Sequence, residues 1–360
     1  MRAYWALLRR VALLTSLALL ATCGAGPAAE PFVAGLNQPR GMAFDAAGSL
    51  LVAEAGAPDP AADHSVQPEV NHSGRVLRIA AGRQPTALVD RLPFTHYPTS
   101  GDIGAADVAV LGGAVYVLTG EGYDDELSRA VLRLRPNEPP ERVADLLSFA
   151  IGTTSLDNQM STGGVPTNPY AMVGAADGSA LYVADGASGR VLRVGLDGQI
   201  RVFATLPGMP PLTGMAFGPD SRLYITMFST QPHAPGSGAI WAADAAGTLA
   251  IAASGLTMPI DVGFDAAGAM YVLEFSDGLQ PGQPYAAGRG RLLRIEPAGP
   301  PVIVIDRLDH PTAMIFSPTG DLYIATGGAF ATAGQGAILR LSCQALGVPQ
   351  DCPAPGKPAS

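Results

Sequence analysis

The chain has 360 residues, of which 48% are hydrophobic and 15% charged, with a formal net charge of −9 and a mean hydropathy of +0.22. Its single lysine, Lys357, lies near the C-terminus and no basic stripe exists elsewhere, which excludes a nucleic-acid interface built on phosphate neutralisation. The hydropathy is high, yet the apolar run near the N-terminus, residues 11–21, is too short to span a bilayer comfortably.

That stretch, residues 11–21, follows Arg2, Arg9 and Arg10 and precedes a run of small residues, the order of an export signal. Residues 20–23 resemble a lipobox ending at Cys23, with Thr22 in place of the usual small residue; cleavage nearer residue 29 is the other option. Both make residues 1–29 a leader, place the protein outside the cytoplasm (periplasmic, secreted or lipid-anchored), and leave no transmembrane span. Losing the three leader arginines with no acid takes the charge from −9 to −12. Cys343 and Cys352 then remain as an even pair in an oxidising compartment, the setting for a disulfide. Closing so short a loop would stabilise by up to about 3 kcal/mol and tie the tail, residues 343–360, to the last strand.

Between leader and tail one unit recurs. Residues 260–275 contain two alternating apolar runs around Asp265-Ala-Ala-Gly268, a β-hairpin signal. Related hairpins centre on 44–54, 108–117, 175–183, 217–225 and 316–324. Each is followed by a third strand, usually opening on Gly, at 74–79, 130–134, 189–194, 238–241, 290–295 and 336–341. Fourth strands follow at 86–92, 141–147, 200–206, 249–256 and 302–308, but none after the sixth unit. A hairpin with one apolar face is not stable alone, so units of four strands at this spacing predict the blades of a propeller. Residues 32–36 share the pattern of 252–256 and supply the missing strand. The expectation is an all-β, six-bladed β-propeller over residues 30–342, closed by its N-terminal strand.

Strand order puts the fourth-to-first and second-to-third connections on one face. All the long insertions fall there, at 57–73, 93–105, 148–168, 229–237 and 276–289, and so do all five histidines, His64, His72, His96, His233 and His310. Long loops on a rigid scaffold carry binding, so this is the expected working face. Residues opening the first strands, Gln38, Arg40, Asn168, Tyr170, Thr213 and His310, are expected to ring the channel mouth as ligand-binding groups for a small polar or anionic molecule.

The column ending the second strands reads Glu54, Thr119, Asp185, Met227, Glu274 and Thr326. Three carboxylates directed at one channel would have to protonate, pair or hold a cation. Glu54, Asp185 and Glu274 are therefore candidate ligands of a hard cation such as Ca²⁺, with Asn168 as a neutral addition and Arg40 as an ionic partner. Capping of neighbouring backbone amides is the alternative role. No nucleophile elbow, His-Glu-x-x-His or phosphate loop is present. Asn71-His72-Ser73 fits a glycosylation sequon.

With the motifs at 36–44 (LNQPRGMAF) and 51–55 (LVAEA), at 167–170 with 182–185, and at 271–274, the chain resembles the ScyD/ScyE family of exported bacterial propellers. NHL-repeat and gluconolactonase proteins share this strand grammar. The resemblance spans nearly the whole mature chain and implies a six-bladed propeller outside the cytoplasm, without a settled reaction. The cysteine pair of many relatives is absent from the first second-to-third-strand loop. Three functions stay open. One is a binding or assembly module for a small ligand or another exported protein. The second is a divalent-metal lactonase using Glu54, Asn168, Asp185 and Glu274. The third is a quinone-dependent sugar dehydrogenase, against which the lack of lysine in the propeller counts.

Overall fold

The hairpin turns explain why the unit repeats. After Asp45, Asp244 and Asp265 the chain reverses because the Asp carboxylate accepts the amides two and four residues on: Ala47 and Ser49, Ala246 and Thr248, Ala267 and Ala269, all at 2.9–3.0 Å. Gly268 takes φ +84°, a left-handed conformation that glycine adopts without steric cost.

A computed structural model describes residues 29–62, 68–97, 101–122, 125–153 and 167–347. The leader with Cys23, His64 and Cys352 lie outside the described residues. Six antiparallel sheets form the ring. The chain enters through β1 (Glu30–Leu36), which belongs to the last sheet. The first sheet comprises β2 (Pro39–Phe44), β3 (Leu50–Glu54), β4 (Glu69–Ile79), β5 (Thr86–Tyr97) and a short β6 (Gly101–Ile103). The second holds β7 (Ala105–Leu111), β8 (Ala114–Thr119), β9 (Ala130–Leu134) and β10 (Glu141–Asp145), then a helix, α1 (Leu146–Thr153). The third runs β11 (Pro169–Gly174), β12 (Ala180–Asp185), β13 (Arg190–Gly195) and β14 (Ile200–Thr205); the fourth runs β15 (Leu212–Phe217), β16 (Leu223–Met227), β17 (Gly238–Ala243) and β18 (Leu249–Leu256). The fifth consists of β19 (Pro259–Phe264), β20 (Met270–Glu274), β21 (Gly290–Ile295) and β22 (Val302–Leu308). The sixth has β23 (Ala313–Phe316), β24 (Leu322–Thr326) and β25 (Gly336–Leu341), completed by β1.

β1 pairs antiparallel with β25, Val33 opposite Ile338 and Leu36 opposite Gly336, so the two ends of the chain close the circle as the pattern of residues 32–36 requires. Blades lock through a repeated aromatic contact. A second-strand tyrosine meets the phenylalanine ending the next blade's first strand in Tyr182–Phe217, Tyr224–Phe264, Tyr271–Phe316 and, across the closure, Tyr323–Phe44, at 4.7–5.6 Å. Phe32 of β1 also meets Tyr323 edge-on at 5.0 Å. Each such pair adds about 0.5–1.5 kcal/mol to the area it buries.

Two expectations need correction. The insertions expected at 57–73 and 93–105 are partly sheet: β4 and β5 run on past the blade, and β6 pairs with β5, Thr95 opposite Ile103 and His96 opposite Asp102. The fourth strand expected to reach 147 stops at Asp145, whose carboxylate accepts the Ser148 amide at 2.9 Å and caps α1. Among the described residues, no helix is long and apolar enough to cross a membrane.

Candidate functional site

First strands line the channel, and register decides which of their residues face it. Most pair with their second strands through a bulge one or two residues in, as at Pro39/Met42, Ala105/Asp107 and Pro259/Asp261. A bulge re-aims the side chains that follow it. Taken in register, the residues two positions into the six blades are Gly41, Asp107, Ala171, Gly214, Asp261 and Ala313, followed by Met42, Val108, Met172, Met215, Val262 and Met314. The order Gly-Asp-Ala occurs twice, so the channel wall repeats every three blades.

Asp107 and Asp261 are equivalent across that repeat. Asp107 accepts the amide of Val108 at 2.7 Å and, from the next blade, that of Met172 at 2.7 Å. Asp261 accepts Val262 at 2.9 Å and Met314 at 2.8 Å in the same way. Each rests on the preceding blade's glycine: a Cβ on Gly41 would come within 1.7 Å of an Asp107 oxygen, and one on Gly214 within 2.0 Å of an Asp261 oxygen. Burial disfavours the charged forms, pushing Asp107 up to about 8 and Asp261 to about 7; the backbone amides oppose this, and Asp261 adds a smaller upward push on Asp107.

Above these carboxyls lies a cavity of about 690 Å³ at the channel mouth. Arg40, Asp102, Glu121, Asn168, Tyr170 and Thr213 line one arc of it, and Phe228, Phe275, Tyr285 and Phe330 contribute aromatic surface. Arg40 donates to the Asp102 carbonyl at 2.8 Å. The Asp102 carboxylate accepts Gln38 and pairs with the His96 ring at 2.5 Å, so β6 fastens the polar arc to the first blade. Burial raises Tyr170, despite the nearby Arg40 guanidinium, and burial also raises Glu121, partly offset by Arg129. On the aromatic side, Tyr285 and Phe330 stack at 5.0 Å and 11°, and Phe275 approaches Tyr285 at 6.0 Å, Phe330 at 6.2 Å and His310 at 5.7 Å.

Of the expected ligand-binding residues, Arg40, Asn168, Tyr170 and Thr213 line this cavity, whereas Gln38 and His310 do not. Gln38 is 1% exposed beneath Asp102, and the His310 ring meets the Tyr285 carbonyl at 2.9 Å. Among the described residues no histidine lines the cavity. His72 pairs with Asp125 at 2.7 Å, and His233 bonds Ser229 and Gln231 at 3.1 and 2.9 Å.

The expected metal set is not assembled. Glu54 accepts the Asn37 amide at 2.6 Å and pairs with Arg75. Asp185 accepts the amides of Asn168 and Ala187 and the Ser188 hydroxyl at 2.8, 3.1 and 2.6 Å. Glu274 accepts Thr257 at 2.6 Å and the Arg291 guanidinium at 2.5 and 2.9 Å. All three are at most 2% exposed and none lines the cavity, because second strands stand one layer outside the channel. Their oxygens clamp the chain entering each blade's first strand, and Arg75 and Arg291, not Arg40, neutralise the two glutamates. Among the described residues no three His, Cys, Asp or Glu side chains are grouped to hold a metal ion. Glu54, Asp185, Glu274 and Asn168 therefore do not fit a shared Ca²⁺.

Asp107, Asp261 and the aromatic arc were missed in the sequence. Only the alignment of all six first strands marks the two aspartates, as charges at a position otherwise Gly or Ala.

No family model matches the chain, and no curated protein matches it in sequence. Solved structures do resemble it. An oxidoreductase described as a glucose dehydrogenase, from Thermus thermophilus, aligns at 18% identity and TM-score 0.59, over 87% of this chain and 99% of its own. A gluconolactonase from Xanthomonas campestris aligns at 16% and 0.53, over 86% and 88%. A PQQ-bound aldose sugar dehydrogenase from Streptomyces coelicolor aligns at 17% and 0.54, over 87% and 96%. At these identities the likeness establishes the propeller fold and not an activity.

Proposed function

We propose that the protein is a binding propeller of an exported chain, taking a small organic ligand at the channel mouth. The observation that carries this is the 690 Å³ cavity itself, within the range of small-molecule sites, where polar side chains from separate blades converge beside an aromatic surface. Membership of the ScyD/ScyE family and export belong to the same reading; the motifs at 36–44 and 167–170 and the arginine-led apolar leader support them. The test is a thermal-shift screen of small molecules against the wild type and Ala329→Trp, which fills the mouth. A ligand shift abolished by the substitution is the expected result. Shifts that survive it would move binding elsewhere.

A second reading, lactone hydrolysis, is favoured by the throat carboxyls: around neutral pH Asp107 is largely protonated and Asp261 is near its midpoint, the pairing that acid–base chemistry needs. The gluconolactonase among the structural neighbours supports it at the level of fold. No metal enters this reading, since the carboxylates proposed to hold one are engaged by their own blades. Ring opening of D-glucono-1,5-lactone, followed by acid release, should then be accelerated by the wild type and not by Asp261→Asn; no acceleration by the wild type would end this reading. The quinone reading has less support, because among the described residues Arg40 is the only cationic side chain lining the cavity.

A further inference from the structure

The mouth's chemistry narrows the ligand class. An anion is disfavoured: four carboxyls, Asp102, Asp107, Glu121 and Asp261, line the cavity against one guanidinium, and that guanidinium already donates to the Asp102 carbonyl. A cation finds no unengaged carboxylate either. The Asp102 oxygens are taken up by the His96 ring and the Gln38 amide, Glu121 faces Arg129, and the two throat carboxyls are driven toward their neutral forms by burial.

What the polar arc offers is a set of groups that donate and accept without net charge. Both oxygens of Asp107 already accept backbone amides, so its proton, when present, is directed away from Val108 and Met172. Asn168 and Tyr170 add a neutral amide and a phenol. A partner that donates and accepts at several points is a polyhydroxylated one.

The aromatic arc adds shape. Phe330 is 47% exposed and sits at φ +56°, a strained conformation for a bulky residue, yet its ring is stacked on Tyr285 beside the cavity. An exposed ring held at such a backbone cost is a platform for a flat face with polarised C–H bonds, since the π face is electron-rich.

We propose that the mouth binds a neutral cyclic polyol, its C–H face on the Tyr285–Phe330 platform and its hydroxyls toward Asn168, Tyr170, Arg40 and the throat carboxyls Asp107 and Asp261. This rests on the mouth being the ligand site and adds the ligand's class. It does not require catalysis.

Titration calorimetry of the full-length protein tests it with myo-inositol, D-glucose and D-galactose, and with choline and benzoate as charged probes. myo-Inositol has neither an ester to hydrolyse nor an aldehyde to oxidise, so its binding is independent of any reaction. The expected result is saturable binding of at least one of the three polyols, weakened tenfold or more by Phe330→Ala at unchanged melting temperature. Asn168→Ala should weaken the same ligand comparably. If no polyol binds at about 10 mM, an affinity of only about 3 kcal/mol, the class is wrong. Should choline or benzoate bind instead and lose affinity in Phe330→Ala, the mouth remains the site while the polyol falls. If neither polyols nor charged probes respond to Phe330→Ala, both the class and the mouth reading are overturned.

Discussion

Carboxylates that look alike in the sequence do opposite things, and environment separates them. Glu274, 1% exposed, has its charge answered by Arg291 and the Thr257 amide. Glu274→Ala strands a guanidinium and an amide, and should cost about 3 kcal/mol, read as a lower urea midpoint at unchanged slope. Asp261 has no counter-charge in hydrogen-bonding contact, and burial lifts it to about 7 from an ordinary carboxylate value of 3.8. Its proton is held more tightly folded than unfolded, so the stabilisation is complete below about pH 4 and is lost as pH rises to 7. The melting temperature of the wild type should therefore decline from about pH 4 to about pH 7 through this group, and on to about pH 8 through Asp107. Asp261→Asn should flatten that decline by roughly 5 °C while lowering stability overall through a lost amide bond. An unchanged pH profile in the variant would mean that Asp261 is ionised throughout.

At the level of strands, ring closure is the decisive event. Leu36 ends β1 as Leu92, Leu206, Leu256 and Leu308 stand at the corresponding places of other blades, all at most 4% exposed. Leu36→Ala should thus cost as much as Leu256→Ala, about 2–5 kcal/mol each in chemical denaturation. A nearly neutral Leu36→Ala would mean that the N-terminal strand docks loosely. Strand existence was legible because alternation, Asp-x-x-Gly turns and glycine-led third strands are local signals. The extension of β5, the addition of β6 and the helix at Leu146–Thr153 were not, because residues 93–105 and 146–153 carry no clear periodicity and their structure is set by what they pack on.

Across the whole molecule, the ring is two three-blade halves facing each other over one channel. Across it the Asp261 charge adds a small upward push on Asp107, beyond the larger one from burial. Carboxyl NMR should accordingly find Asp107 titrating lower in Asp261→Asn, and an unmoved Asp107 would mean that the two are electrostatically independent. What the sequence determined by itself was the number of blades, the closure by residues 32–36 and Arg40, Asn168, Tyr170 and Thr213 at the mouth, since a two-residue period and a fixed strand order leave little choice. What only the tertiary structure decided was how each carboxylate is used. Strand-end Glu54, Asp185 and Glu274 lie one layer outside the channel against their own amides, and Asp107 and Asp261 line it against amides of the next blade; which partners a carboxylate meets depends on bulge register and on contacts between blades distant in sequence, and no local pattern encodes that.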